Sequence, residues 1–190
     1  MSRLRYSKVR EVNSPSRGHD GDAGLDFYMP TDLYIHEFKS KQATNSSLSI
    51  LTKESTEYRW LSDEYLENDI IEAILIYPHS RVLIPSGIRV LLEPKDSMLT
   101  AANKSGKTTK TGLIFGAQIV DSPYTGEIHI SLINTSNEPV KIVAGEKLTQ
   151  FIHIPIYLSK PEEILNRDYD NLAKNWGTRG ADGFGSTDDK

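Results

Sequence analysis

The sequence predicts an all-β domain, a sandwich or barrel, on three observations. Its apolar residues fall in short, β-branched runs bounded by Gly, Pro, Asn or Ser. Several runs alternate apolar and polar residues with the period of two that half-buries a strand. Helical periodicity is scarce, and 190 residues suffice for one domain with a substantial core.

In chain order, residues 36–75 are out of character: polar, rich in Ser, Lys and Glu, with Tyr58, Trp60 and Tyr65 scattered through them. They read as an insertion within the domain. Inside it, Ser62 can cap a helix running to Ile74, with Leu66, Ile70 and Ile74 on one face; residues 70–77 can equally form a strand. Periodicity admits both. Residues 81–92 read as two strands hinged at Pro85-Ser86-Gly87. Residues 127–133 set Ile128, Ile130 and Leu132 against His129 and Ser131. Residues 140–143 follow the turn Asn137-Glu138-Pro139, and residues 148–156 make a further strand. Residues 162–173 predict a short helix with Pro161 at its start and Gly177 beyond its end.

Composition narrows the function. Without cysteine, disulfides and thiolate metal sites are excluded, and no oxidising compartment is implied. No apolar run reaches membrane-spanning length and the first residues lead into no signal-type core, so a soluble, intracellular, cytoplasmic protein is expected, with no membrane partner. A net charge of −4 argues against binding a nucleic-acid polymer. A small polyanion can still be held where cations such as Lys104, Lys107, Lys110 and Arg179 converge.

Five segments carry candidate chemistry. In residues 119–127 a strand runs into Asp121 and resumes after Tyr124 and Gly126; a carboxylate there can hold an attacking water, or can simply form the turn. Residues 102–108 approach a P-loop but have Ala101 where that motif needs glycine, and Thr109-Lys110-Thr111 is poor helix material. A Lys-Ser-Gly turn on phosphate, or an ordinary basic loop, remains. Asp20, Asp22 and Asp26 lie among small residues that suit a hard cation, or form an acidic turn. Residues 144–151 place polar Gln150 among apolar neighbours such as Leu148 and Phe151, and a solvent-facing strand residue has the same pattern. Finally, residues 179–190 combine Arg179, three glycines, Phe184, Ser186 and Thr187, which suits an anion and a stacked base but also a frayed chain end. The five histidines show no metal-ligand spacing.

Taken in chain order, the five segments resemble the motifs of the trimeric dUTP pyrophosphatase (dUTPase) family: approximately A-G-x-D, R-S-G, G-x-I-D-x-x-Y-x-G, G-x-x-x-x-Q and R-G-x-x-G-F-G-S-T. They stand here as Ala23-Gly24-Leu25-Asp26, Lys104-Ser105-Gly106, residues 118–126, residues 145–150 and residues 179–187. The resemblance implies a distorted jelly-roll β-barrel, a homotrimer with shared active sites, and hydrolysis of dUTP to dUMP and pyrophosphate with Mg²⁺ carried by the triphosphate. It implies that Asp121 activates the water attacking the α-phosphorus, and that Tyr124 packs under the deoxyribose and excludes a 2′-hydroxyl. Lys104, Ser105, Gly106 and Gln150 would hold phosphate oxygens, and Asp26 would support the metal through water. Gln118 would border the base pocket, Arg179 would grip the γ-phosphate, Phe184 would stack on uracil, and Gly185, Ser186 and Thr187 would cover the phosphates.

Two motif positions depart from the family. Lys104 replaces an arginine fork by a point charge, and Gln118 stands where glycine is usual. The expected organisation is one barrel domain over residues 1–178, interrupted at about 36–75, with residues 179–190 as a flexible C-terminal lid. The alternatives are a dCTP deaminase-like or bifunctional enzyme, and a regulator on the same scaffold that binds a protein partner through the insertion.

Overall fold

The computed structural model describes residues 2–42, 47–62 and 68–177. Among these are thirteen strands and three short helices. The chain divides into two compact units, Met1–Tyr157 and Leu158–Lys190.

The first unit is built from antiparallel sheets. The largest in functional terms runs in the order β10 (Ile119–Asp121), β8 (Ser97–Ala102), β13 (Lys147–Pro155), β2 (Leu25–Tyr28). A second joins β6 (Arg81–Pro85), β11 (His129–Asn134) and β9 (Leu113–Phe115). A third joins β12 (Val140–Val143), β5 (Ile71–Ile76), β3 (Leu48–Thr52) and β4 (Arg59–Trp60). The ribbon β1 (Arg3–Lys8) with β7 (Ile88–Glu93) completes the set. The alternation in sequence becomes the two faces of each strand. In β11, Ile130 and Leu132 are buried while His129 and Ser131 are only partly so. Phe27, Phe115 and Phe151 meet edge to face, with centroids 4.7 and 6.2 Å apart, at the centre of a single apolar cluster. Each fully buried side chain of this size contributes about 1.5–3 kcal/mol by leaving water.

The expected strands on both sides of Pro85-Ser86-Gly87, at residues 127–133, 140–143 and 148–156, are all present as β6, β7, β11, β12 and β13. The ambiguous stretch after Ser62 resolves at its C-terminal end as the strand β5. Its backbone is taken up on both sides, by β3 and by β12, and Ile71, Ala73, Ile74 and Ile76 are buried. Residues 63–67 lie outside the described residues. The polar character of residues 36–75 conceals ordered structure: most of helix α1 (Ile35–Lys39), β3 and β4 lie in it, and Phe38, Leu48 and Ile50 join the common core.

Two local expectations are corrected. Residues of weak helix propensity form α2 (Ser105–Thr111). Two threonine hydroxyls find backbone acceptors, Thr111 Oγ1 donating to Lys107 O at 2.7 Å and Thr108 Oγ1 to Leu113 O at 3.2 Å, and the second ties the helix to the start of β9. Gly112 then closes the helix at φ 68°, a left-handed cap that glycine adopts without strain. In the second unit the helix α3 (Asn166–Ala173) begins at Asn166, after extended Leu165, and not at Pro161. Its Tyr169 and Leu172 are exposed, as are Leu165 and Trp176 beside it.

Candidate active site

Four of the five motif segments belong to one sheet. Motif one is on β2, motif two follows β8, motif three is β10 with its turn, and motif four leads into β13. Strand pairing fixes their placement: Gln150 of β13 is opposite Asp26 of β2 on one side and Ala102 of β8 on the other.

At that end of the sheet the side chains interlock. Asp26 is 4% exposed, and its two carboxylate oxygens are both taken: Oδ1 by the Lys104 ammonium and Oδ2 by Lys147 Nζ at 2.8 Å. Burial by itself would raise the Asp26 carboxyl, but its hydrogen bonds and charge attraction to Lys104 and Lys147 prevail and hold it below the ordinary aspartate value. Lys107 pairs with Glu146 at 2.7 Å across the same end. Gln150 Nε2 donates to Asn103 O at 3.2 Å. Gly24 explains part of this closeness, because a Cβ at that position would come within 2.3 Å of Gln150 Oε1 and 2.9 Å of Gln150 Cβ. The glycine of motif one thus leaves the space that the glutamine of motif four fills. Ser105 and Gly106 open helix α2 beside Lys104, and a Cβ on Gly106 would meet nothing within 4 Å.

Motif three is at the opposite edge. Asp121 is exposed, opposite Met98 of β8, and its carboxylate makes no hydrogen bond or ion pair with the described residues. The turn after it is closed by Tyr124 N–H donating to Asp121 O at 3.0 Å. Tyr124 is 45% exposed, and its hydroxyl donates to Glu127 O at 2.8 Å. Gly126 makes room for its ring: a Cβ there would come within 2.6 Å of the Tyr124 hydroxyl. Gln118 is exposed, and its carbonyl accepts from Ala101 N–H at 2.6 Å, so its backbone is tied to β8.

One chain does not bring these two groups together. Asp121 lies level with Met98 and Gln150 level with Ala102, four residues further along β8, and Asp26 is three strands across from Asp121. At about 3.4 Å per residue and 4.8 Å per strand, Asp121 and Asp26 are on the order of 20 Å apart. Arg179, Phe184, Gly185, Ser186 and Thr187 lie outside the described residues. Lys147 was not singled out by the sequence, and a β-bulge is the reason. The register shifts between Lys147 and Thr149, and a strict period of two does not foresee where that places Lys147. Among the described residues no three His, Asp or Glu side chains are grouped so as to hold a metal ion. Both Asp26 oxygens are occupied by ammonium groups, which leaves neither free for direct coordination of a metal in this arrangement.

Barrel, basic cradle and carboxylate-bearing hairpin together define a protein built to handle a small phosphorylated ligand. Comparison with known proteins narrows the class. The dUTPase family model matches residues 69–187. A deoxyuridine 5′-triphosphate nucleotidohydrolase of Clostridium novyi is 36% identical over 119 residues, covering 62% of this chain and 78% of that protein. Among solved structures, a Staphylococcus bacteriophage 80alpha dUTPase with dUPNHPP superposes with a TM-score of 0.65 at 17% identity, covering 97% of this chain and 98% of that one. A point mutant of the dUTPase from phage phi11 of S. aureus, described with a structural Mg(II) ion, gives 0.59 at 16% identity, covering 85% and 96%. This chain belongs to the dUTPase family, and its mostly-β architecture is the jelly-roll barrel of that family. The match starts at residue 69, so motif one and the strands before it are related by fold, and by their place in the sheet.

Proposed function

We propose that this protein hydrolyses dUTP to dUMP and pyrophosphate. The observation that carries the reading is the convergence of motifs one, two and four, Gly24, Asp26, Lys104 and Gln150, at one end of a sheet whose other edge presents Asp121 and Tyr124. Lys104, Lys147 and the Ser105–Gly106 turn hold the phosphate oxygens, and Gln150 orients them by its amide. Asp121, free of a described side-chain partner, takes the proton of a water that attacks the α-phosphorus; the bond to the bridging oxygen breaks and pyrophosphate leaves. Asp26 would support, through water, a Mg²⁺ carried by the triphosphate, and that ion would supply charge neutralisation. Tyr124 lies under the deoxyribose, and backbone amides around residues 118–124 read the uracil edge. Arg179, Phe184, Gly185, Ser186 and Thr187 cover the bound nucleotide as a lid.

A separation on the order of 20 Å within the chain supports a site assembled from more than one copy, since a water and the phosphate it attacks are a few ångströms apart. Three copies, each lending its hairpin to a neighbour's cradle, accommodate the arrangement. A second, compatible role rests on Trp60, 48% exposed and stacked on Tyr77 at 4.6 Å within the 36–75 segment and its border, a face suited to a protein partner.

The test is pyrophosphate release from dUTP, dCTP, dTTP and UTP side by side, with Asp121→Asn as the control. We expect preference for dUTP, and a loss of turnover of at least about a hundredfold in the variant with nucleotide binding retained. Preferential pyrophosphate release from dCTP would favour the bifunctional reading, ammonia release from dCTP without pyrophosphate would favour the deaminase-like one, and substantial residual activity in the variant would remove Asp121 from the role of base.

A further inference from the structure

Resting on the reading of Tyr124 as the sugar platform, we infer that a part-buried ion network, Glu37–Arg10–Glu127, positions Tyr124. Helix α1 and the segment it opens thereby set how strictly the site distinguishes deoxyribose from ribose. None of the three residues touches the nucleotide; they act through the hairpin.

Tyr124 is nearly half exposed, so core packing does not fix its ring. What fixes it is the hydrogen bond from its hydroxyl to the Glu127 carbonyl at 2.8 Å and the close approach over Gly126. The ring is therefore only as well placed as Glu127. The Glu127 side chain is in turn held at three points. Its Oε1 accepts from Arg10 Nε at 2.8 Å and from Gly87 N–H at 2.7 Å, and its Oε2 accepts from Arg10 Nη2 at 3.3 Å. The third guanidinium nitrogen, Arg10 Nη1, donates to Glu37 Oε2 at 2.7 Å. Glu37 belongs to the first turn of α1, where the same oxygen accepts from Tyr34 N–H at 3.4 Å.

Arg10 and Glu127 side chains are only 14% and 16% exposed. Burial works against the guanidinium charge, but the hydrogen bonds and charge attraction of Glu127 and Glu37 outweigh it and keep Arg10 protonated. A planar fork with every arm occupied at low exposure has one geometry, which a lysine does not reproduce. The path from α1 to the platform is thus continuous: Glu37, Arg10, Glu127 side chain, Glu127 carbonyl, Tyr124 hydroxyl. Arg10 and Glu127 are 117 residues apart in sequence, and no local pattern announces their contact.

The experiment measures kcat/KM for dUTP and for UTP in wild type, Glu37→Gln, Arg10→Lys and Tyr124→Phe, each well below its melting temperature. Hydrogen exchange over residues 119–128 is followed in parallel. We expect Glu37→Gln and Arg10→Lys to lower the dUTP-to-UTP ratio at least threefold and to speed exchange over 119–128. Glu37→Gln combined with Tyr124→Phe should lower the ratio no further than Tyr124→Phe alone. Gln150→Ala, at the phosphate end, should reduce both substrates alike and combine multiplicatively with Glu37→Gln. An unchanged ratio with unchanged exchange in either folded variant would overturn the inference. If wild type failed to turn over dUTP, the reading of the site would fall, and the exchange measurement would still decide whether the network holds the hairpin.

Discussion

Replacing Gly24 by alanine tests the claim that motifs one and four share one packed space. The added Cβ would come to 2.3 Å from Gln150 Oε1 and 2.9 Å from both Cβ and Cδ of the same side chain. Real contacts of this kind need more than 3 Å, so the Gln150 side chain has to rotate, and because rotation leaves its Cβ in place the backbones around Gly24 and Gln150 must also give by a few tenths of an ångström. Rotation breaks the bond from Gln150 Nε2 to Asn103 O, worth about 1 kcal/mol. An off-rotamer side chain adds about 0.5–1.5 kcal/mol. The sum, about 2 kcal/mol, corresponds to a melting temperature lower by about 4–8 °C in a chain of this size. Because the displaced amide is also a phosphate contact in the proposed site, kcat/KM for dUTP should fall about as far as in Gln150→Ala. The assay is a double-mutant cycle read by thermal unfolding and by kcat/KM. In the Gln150→Ala background, which removes the Oε1 and Cδ contacts but keeps the Cβ contact, Gly24→Ala should cost less than it does in wild type. Additive effects, or a Gly24→Ala protein with wild-type melting and turnover, would refute the shared-space argument.

Two further outcomes follow from the same geometry. Asp26 has its folded pKa held below 3.8, so its contribution is fully present above that value and is lost as pH falls through the lower folded one. Asp26→Asn should therefore lose about 2 kcal/mol relative to wild type at about pH 6, with the difference in melting temperature shrinking below about pH 4; a constant difference down to about pH 3 would contradict the lysine clamp. Mixing Asp121→Asn protein with Gln150→Ala protein, after dissociation and reassembly, should restore turnover that neither has alone, because some mixed assemblies regain one intact cradle beside one intact hairpin. No recovery, with exchange of subunits shown by mass, would mean that each chain supplies its own site.

How far the sequence was legible depended on the range of the interaction. Strands with clean alternation, such as that carrying Ile128, Ile130 and Leu132, were readable because a period of two is a local property. The motif residues were readable because their chemistry is unusual for their setting, as with Gln150 among apolar Leu148, Phe151 and Ile152. What was not readable is what depends on pairing. Residues 36–75 read as polar, yet β3 places Leu48 and Ile50 in the core, because a strand saturated by neighbours on both sides needs few apolar residues to be buried. Lys147 escaped notice because a bulge shifts its register, and helix α2 because its propensity is weak and its ties, the left-handed Gly112 cap and the Thr108 bond to Leu113, lie at its end. Arg10 was invisible: its meaning lies wholly in Glu37 and Glu127.

The register of a single sheet holds the two halves of the proposed site apart within one chain. Antiparallel pairing of β10 with β8 runs Asp121 toward the start of β8, while β13 carries Gln150 to its end. Sliding β10 by four residues would still leave Asp121 two strands across from Gln150, and it would pull Gln118 away from its bond to Ala101 N–H. The hairpin that positions Tyr124 is therefore locked where it is by the same ladder that forms the sheet. In the proposed function, a cradle and a base held apart in one sheet would meet where a neighbouring chain lends its hairpin to the cradle, and a closed ring of copies would repeat that contact.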